Sequence, residues 1–168
     1  MLFLVKDFFK ENYILNDNNK IWLSPPHISG NEKKYVDEAF DQNWIAPAGP
    51  HLDQFEDEIS RFSNGYEVAV LSSGTAAIHL SLILLGIKKD DIVLCSSFTF
   101  SASVNPVIYQ GATPVFIDSE TETWNMDPVL LEDAINNYIK IGRKPKAIIL
   151  VHLYGYPAKI DQFLEISN

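Results

Sequence analysis

Short apolar runs alternate with longer helical stretches in the second part of the chain. Four of these runs have the length and composition of buried strands, and they lie at 68–71, 92–95, 114–117 and 147–151. A helical segment follows each run, starting near residues 76, 101, 127 and 159. Strands buried on both faces read as continuous apolar runs. The pattern therefore predicts an α/β fold in which a mostly parallel sheet carries helices on both faces, in three layers.

Two amphipathic helices are predicted ahead of the first strand. Ser29 and Gly30, followed by Glu32, open the first helix, and the second carries apolar residues at helical spacing on one face. The loop between them, residues 44–51, is rich in glycine and proline yet carries large apolar side chains. Residues 1–19 read as a short helix followed by a polar break, and we treat them as an N-terminal extension.

Charge and composition narrow the classes of function. The formal net charge is -9, and because nucleic acids and anionic membranes attract basic surfaces, neither is expected as a partner. Cys95 is the single cysteine, which excludes an internal disulfide and fits a reducing compartment. The opening apolar run ends at Lys6 and Asp7, too soon for a signal peptide or a membrane span. A cytoplasmic protein is therefore expected, and no residue is predicted to bind a metal.

A candidate phosphate loop joins the first predicted strand to its helix. Residues 72–77 read Ser-Ser-Gly-Thr-Ala-Ala. The N–H groups and positive dipole end of a helix N-terminus suit a phosphate, Gly74 lets it come close, and Ser73 and Thr75 add hydroxyl donors. The alternative is a glycine turn with a hydroxyl that merely caps the helix. Neither the G-x-G-x-x-G pattern nor the P-loop pattern is present, which disfavours dinucleotide and P-loop sites.

Six segments in a fixed order resemble the DegT/DnrJ/EryC1/StrS family of nucleotide-sugar aminotransferases, which depend on pyridoxal phosphate (PLP). They are Ile-Trp-Leu-Ser-Pro-Pro at 21–26, Trp-Ile-Ala-Pro-Ala-Gly-Pro at 44–50, Ser-Ser-Gly-Thr-Ala-Ala at 72–77, Ser-Phe-Thr-Phe-Ser-Ala at 97–102, Gly-Ala-Thr-Pro-Val-Phe-Ile-Asp at 111–118 and Val-His-Leu-Tyr-Gly at 151–155. No single segment is specific, but six in register are. The resemblance implies that residues 20–168 are an incomplete large domain of a fold-type I aminotransferase.

The resemblance also implies a cofactor site. Gly74, Thr75 and Ala76 would hold the phosphate of PLP, and Phe100 falls where the family places an aromatic ring against the pyridine face. Asn105 lies one turn further along and would face the cofactor. Without the family, Phe100 reads as a core aromatic at a strand end and Asn105 as a helix-surface residue.

Four residues are expected to bind the nucleotide sugar. Trp44, Ile45 and Pro47 resemble a segment that lines the sugar-nucleotide pocket near a dimer partner, and the alternative is a hydrophobic loop packed on its own domain. His152 lies in a loop that the resemblance places close to the active site, and we assign it no catalytic step. Its alternative is a structural histidine bonded to a backbone carbonyl.

No catalytic residue is predicted within the chain. A PLP transaminase needs a lysine that forms the Schiff base and a carboxylate at the pyridine nitrogen. In the resembling family both lie beyond the position that corresponds to residue 168. The candidates present in the sequence match neither position; they are Lys140, Lys144, Lys146, Lys159, Asp118 and Asp161.

The implied topology predicts a sheet with gaps. In fold-type I aminotransferases the first strand pairs with the last, and we expect the second and third strands to reach the fourth only through the fifth. Missing strands would expose unpaired edges between those present. The isolated chain is therefore expected to fold poorly.

Three functions stay open at this point. The first is amino transfer, with glutamate as the expected donor, to a keto-sugar on a nucleoside diphosphate, in a homodimeric enzyme of surface-polysaccharide or glycan synthesis. The second is dehydration of such a sugar by a family member with histidine in place of the lysine. The third is a truncated or split gene product that performs no chemistry by itself.

Overall fold

The computed structural model describes residues 26–167. The predicted N-terminal extension, residues 1–19, lies outside this range, as does all but the last residue of the first family-like segment. The chain divides into two compact units, residues 1–68 and 69–168. The described part of the first unit is helical, and the second unit contains the sheet.

The first unit contains the two predicted amphipathic helices, α1 (Glu32–Asp41) and α2 (Pro50–Phe62). The carboxylate of Glu32 caps the start of α1, because it accepts hydrogen bonds from the N–H and hydroxyl of Ser29 and from the N–H of Gly30. These bonds, led by the one from the Ser29 N–H, lower the pKa of Glu32 to about 2. Neither helix contains a buried residue.

The second unit alternates helices and strands. In chain order its elements are α3 (Gly74–Leu84), β1 (Ile92–Ser96), α4 (Asn105–Tyr109), β2 (Thr113–Ile117), α5 (Pro128–Lys140), β3 (Ala147–Ile149) and α6 (Ile160–Ser167), with short 3-10 turns at Ser101–Ser103 and Leu153–Gly155. The three strands form one parallel sheet in the order β2-β1-β3. Asp127 caps α5 by accepting from the N–H groups of Val129 and Leu130, as its position before Pro128 predicts.

The core lies on both faces of the sheet. Alternate residues of β1 point to opposite sides, so Val93 and Cys95 pack with residues of α3 and α4 while Ile92 and Leu94 pack with residues of α5 and α6. All four side chains are at most 3% exposed. This arrangement confirms the predicted α/β fold with helices on both faces. Burial raises the pKa of the Cys95 thiol to about 12.

Two expectations about the strands are wrong. Within the described residues, 68–71 form no strand and take no part in the sheet. Apolar composition suits a buried strand, but a strand exists only where a neighbouring strand supplies the ladder of hydrogen bonds. The expected gaps between the other strands are also wrong, because β1 pairs directly with both β2 and β3. The second and third predicted strands therefore reach the fourth without any fifth strand.

The helix expected from residue 101 to residue 109 is divided in two. A 3-10 turn covers Ser101–Ser103, and the short helix α4 begins only at Asn105. Pro106 lacks an N–H, so no helical hydrogen bond can run back from it. Asn105 consequently begins a helix instead of lying inside one.

Candidate cofactor site

The candidate phosphate loop lies at the start of α3. Ser73 is the N-cap in an extended conformation, and its Oγ accepts a hydrogen bond from the N–H of Ala76 at 3.1 Å. Bonding along the helix begins with the N–H of Ala77, which donates to the C=O of Ser73. The N–H groups of Gly74 and Thr75 have no acceptor among residues 26–167. Together with the positive end of the helix dipole, these two donors can bind an anion.

Gly74 fits a group that comes close to the backbone. Its φ lies outside the left-handed region, and a Cβ placed on it would meet no atom of the described chain within 4 Å. Neither backbone conformation nor packing within the chain therefore requires glycine at this position. The open space beside the two N–H donors suits a phosphate, so the loop is compatible with the phosphate of PLP.

Phe100 and Asn105 follow the end of β1. Phe100 is 80% exposed just before the 3-10 turn, and Asn105 is exposed at the first position of α4. The structure does not support the alternative that Phe100 is a core aromatic. An exposed ring is able to stack on a planar ligand. The contacts of both residues with the cofactor stay predictions.

The His152 loop is held by residues that the sequence did not single out. Nδ1 of His152 accepts a hydrogen bond from the N–H of Ala158 at 3.0 Å. The ring thus bonds to a backbone N–H, not to the backbone carbonyl of the alternative interpretation. The buried side chain of Asn125 accepts from the N–H of Leu153 at 2.8 Å and donates to the C=O of Tyr156 at 3.1 Å. Asn125 gave no local signal, because the loop that it holds begins 28 residues further along the chain.

A second polar cluster lies against the end of the same loop. The carboxylate of Glu120 accepts from the N–H groups of Glu122 and Thr123 and from the Thr123 hydroxyl. Nζ of Lys159, next to Ala158, is 2.8 Å from Glu122 and 3.5 Å from Glu120. These bonds, led by the one from the Thr123 hydroxyl, lower the pKa of Glu120 to about 2. Hydrogen bonding to Glu122 raises the pKa of Lys159, which keeps that lysine charged and makes it a poor nucleophile.

The amino end of the sheet carries a different ion pair. Lys146 immediately precedes β3, and its Nζ is 3.0 Å from Oδ2 of Asp91, which immediately precedes β1. The hydrogen bond from Lys146 lowers the pKa of Asp91. A groove of about 740 Å³ that Lys146 helps to line lies between α5, β3 and α6, and it contains none of the predicted site residues. Since ligands of open α/β sheets bind at the carboxyl ends of the strands, we assign this end a structural role.

The loop at residues 44–51 carries the substrate residues predicted in the first unit. The ring of Trp44 covers Gly49, because a Cβ on that glycine would lie only 3.1 Å from the ring. Gly49 also has a φ of +143°, which side chains rarely permit. Trp44, Ile45 and Pro47 are all exposed. Packing within the loop accounts for the position of Trp44, and the binding of a sugar nucleotide by these residues stays a prediction.

Residues 26–168 match the model of the DegT/DnrJ/EryC1/StrS aminotransferase family. The chain therefore belongs to this family, whose aminotransferases are PLP-dependent. The resemblance that the six sequence segments indicated is confirmed.

Two curated relatives show how much of an aminotransferase the chain represents. EpsN of Bacillus subtilis (strain 168), which carries the name of a pyridoxal phosphate-dependent aminotransferase, is 50% identical over 151 residues, or 90% of this chain and 39% of EpsN. A GDP-perosamine synthase of Escherichia coli O157:H7 is 40% identical over 143 residues, or 85% of this chain and 38% of the synthase. The chain thus spans about two-fifths of the length of the curated relatives that it matches.

Solved structures of aminotransferases share the fold of this chain. The aminotransferase of Psychrobacter cryohalolentis superposes with a TM-score of 0.75 at 29% identity, covering 86% of this chain and 35% of that one. The PLP form of the sugar aminotransferase Spr1654 of Streptococcus pneumoniae superposes with a TM-score of 0.71 at 30% identity, covering 87% and 36%. These matches confirm the fold-type I architecture for the part of the enzyme that the chain spans.

The described residues were also compared with the requirements of a membrane-spanning helix and of a metal site. No helix within residues 26–167 is long and apolar enough to cross a membrane. In the same part of the chain, no group of three histidine, cysteine or acidic residues is placed to hold a metal ion.

Proposed function

We propose that this chain supplies the phosphate-binding part of an aminotransferase that uses PLP to transfer an amino group, from glutamate, to a keto-sugar linked to a nucleoside diphosphate. The start of α3 carries the proposal, because the N–H groups of Gly74 and Thr75 have no acceptor among residues 26–167 and lie beside open space in a chain of an aminotransferase family. The names of two relatives, a GDP-perosamine synthase and a spore coat polysaccharide biosynthesis protein, support a sugar substrate and a role in surface-polysaccharide synthesis. We propose that the reaction takes place in the cytoplasm.

The cofactor would be held by a small set of residues in the second unit. Bound PLP supplies an electron-withdrawing ring that stabilises negative charge on the carbon that bears the amino group. Gly74 and Thr75 would donate their N–H groups to its phosphate, while Ala76, whose N–H already bonds to Ser73, would complete the turn. Phe100 would stack on the ring and Asn105 would lie beside it.

Four residues are proposed to bind the sugar nucleotide, and each is considered within its own unit. Trp44, Ile45 and Pro47 expose an apolar and aromatic surface, which suits the rings of a sugar and a base. We propose that they line the pocket in a homodimer. His152 would contact the substrate and take no catalytic step.

The test requires a polypeptide of full aminotransferase length. Because the chain spans 39% of EpsN, it can be continued after residue 168 with the part of EpsN that follows the match. In this chimera, glutamate should change the cofactor absorbance as bound PLP becomes pyridoxamine phosphate. A GDP-linked or UDP-linked keto-sugar should then gain an amino group, detected by mass spectrometry. EpsN serves as the positive control, and a PLP-loaded chimera whose spectrum no amino donor changes would contradict the proposal.

A further inference from the structure

The main chain selects one tautomer of His152. The N–H of Ala158 lies 3.0 Å from Nδ1, and a backbone N–H can only donate, so Nδ1 must be the unprotonated nitrogen. Neutral His152 therefore carries its proton on Nε2. Nε2 has no hydrogen-bond partner among residues 26–167, and the side chain is exposed. His152 is thus prepared to donate a hydrogen bond outward.

Asn125 fixes the loop that carries this donor. Its side chain is only 3% exposed, and it bonds to the N–H of Leu153, directly after His152, and to the C=O of Tyr156. An amide can accept and donate at once, whereas a carboxylate or an aliphatic side chain of similar size cannot. A further hydrogen bond of 3.0 Å from Asn125 Nδ2 to Oγ1 of Thr123 holds the amide in orientation.

The loop itself needs such support. Its only regular element is the 3-10 turn Leu153–Gly155, in which Tyr154 has a φ of +50° and Gly155 a φ of +84°. A left-handed backbone at a residue other than glycine persists only where its surroundings determine it. The bonds from Asn125 come from outside the loop and lie on both sides of Tyr154.

We propose that Asn125 is a positioning residue that presents the Nε2–H of His152 to an oxygen of the nucleotide-sugar substrate. His152 lies just beyond the carboxyl end of β3, the edge at which ligands of open α/β sheets bind. An N–H donor there matches the hydroxyl, carbonyl and phosphate oxygens of such a substrate. The identity of the ligand rests on the proposed function, whereas the tautomer and the part played by Asn125 follow from the contacts alone.

The first arm of the test measures the tautomer in the chimera without cofactor or substrate. With 15N-labelled histidine, the His152 signals, assigned by their loss in His152→Phe, should show an unprotonated Nδ1 and a protonated Nε2. In Asn125→Ala the two tautomers should mix, because the loop no longer holds Ala158 against the ring. The matched control is Asn137→Ala, an exposed asparagine of α5, which should leave the signals unchanged. A purely structural Asn125 would lower stability without changing the tautomer.

The second arm measures the Kd of a GDP-linked or UDP-linked keto-sugar by calorimetry, which needs no turnover. We expect Asn125→Ala and His152→Phe each to raise this Kd about tenfold, with no further increase in the double variant, and Asn137→Ala to leave it unchanged. If Asn125→Ala does not fold, Asn125→Asp serves, since it keeps the acceptor for Leu153 and loses the donor to Tyr156.

Any of three results would overturn the inference. They are a protonated Nδ1 in the parent chimera, a His152 tautomer that Asn125→Ala does not change, and a keto-sugar Kd that His152→Phe does not change. All three are independent of amino transfer. A chimera that fails to transaminate but shows the expected tautomer and Kd values therefore refutes the proposed reaction alone.

Discussion

Two loops of the second unit are held in different ways. The turn before α3 is local, because Ser73 caps the helix through residues three and four positions further along. The His152 loop is held across the fold, by Asn125 from 28 residues away. The local turn leaves two N–H donors available for an anion, whereas the distant contacts hold the loop in which the Ala158 N–H orients the His152 ring. The first site is thus built from the backbone of one helix end, and the second depends on a contact from another part of the chain.

The largest effect is expected where the long-range contacts are removed. Asn125→Ala deletes the three hydrogen bonds of a buried amide and leaves the Leu153 N–H unpaired, so we expect the free energy of unfolding of the chimera to fall by about 2–3 kcal/mol. Urea titration measures this change. Asn137→Ala should change the free energy by less than about 0.5 kcal/mol. Equal losses in both variants would show that Asn125 does not hold the loop.

A substitution in the turn before α3 should raise the free energy of unfolding, whereas Asn125→Ala lowers it. Gly74→Ala places a Cβ where the chain offers no obstacle, so the free energy of unfolding without cofactor should rise by about 0.5 kcal/mol. The same methyl group enters the space assigned to the phosphate, so the Kd of PLP should rise at least about tenfold, or about 1.4 kcal/mol. Fluorescence titration with PLP gives the Kd. An unchanged Kd would show that the phosphate of PLP does not bind beside Gly74.

Removal of the cap alone should have a smaller effect. Ser73→Ala loses the hydrogen bond from the Ala76 N–H, so the free energy of unfolding should fall by about 1 kcal/mol. Ser81 lies in the same helix, where its hydroxyl bonds to the C=O of Ala77. Ser81→Ala should be neutral or slightly stabilising, because alanine favours the helix interior. Similar losses in both variants would contradict the assignment of Ser73 as the cap.

The polar cluster around Glu120, beside the His152 loop, should make the free energy of unfolding depend on pH in the acidic range. The pKa of Glu120, about 2 in the folded protein, lies below its ordinary value of 4.5. Its contribution is therefore fully present above about pH 4.5 and is lost as the pH falls towards 2. Glu120→Gln should flatten the dependence of unfolding on pH in this window, and Thr123→Val should reduce it in part. If neither variant changes the pH dependence of unfolding, a group other than Glu120 is responsible for it.

The same contrast between local and distant contacts explains what the sequence could predict. The caps of α5 by Asp127 and of α3 by Ser73 depend on neighbours within four residues, and a capping hydroxyl was one of the two interpretations of residues 72–77; α3 begins at Gly74, two residues before the predicted start near residue 76. The apolar runs of β1, β2 and β3 likewise predicted a parallel sheet, of which β1 is buried along its whole length.

Features that depend on distant partners could not be predicted in the same way. Residues 68–71 have the composition of a strand, but no neighbouring strand pairs with them in the described chain, so the sheet does not include them. The direct pairing of β1 with β3 and the role of Asn125 were missed for the same reason. The cofactor was predicted from the resemblance to the family, because no local pattern distinguishes a PLP phosphate from other anions.

Whether the chain folds alone stays a prediction with a physical basis in the structure. Leu84, Leu85 and Phe116 are 79%, 65% and 58% exposed, which leaves large apolar side chains in water. Exposed apolar surface of this kind favours association. Gel filtration and thermal unfolding of the 168-residue chain should show aggregation without a cooperative transition. A monodisperse species that unfolds cooperatively would contradict this expectation.

The most direct test of the central claim is a crystal structure of the chimera with PLP bound. Phosphate oxygens should lie within hydrogen-bond distance of the N–H groups of Gly74 and Thr75, with the ring of Phe100 against the pyridine. A phosphate bound elsewhere, with the start of α3 left to solvent, would contradict it.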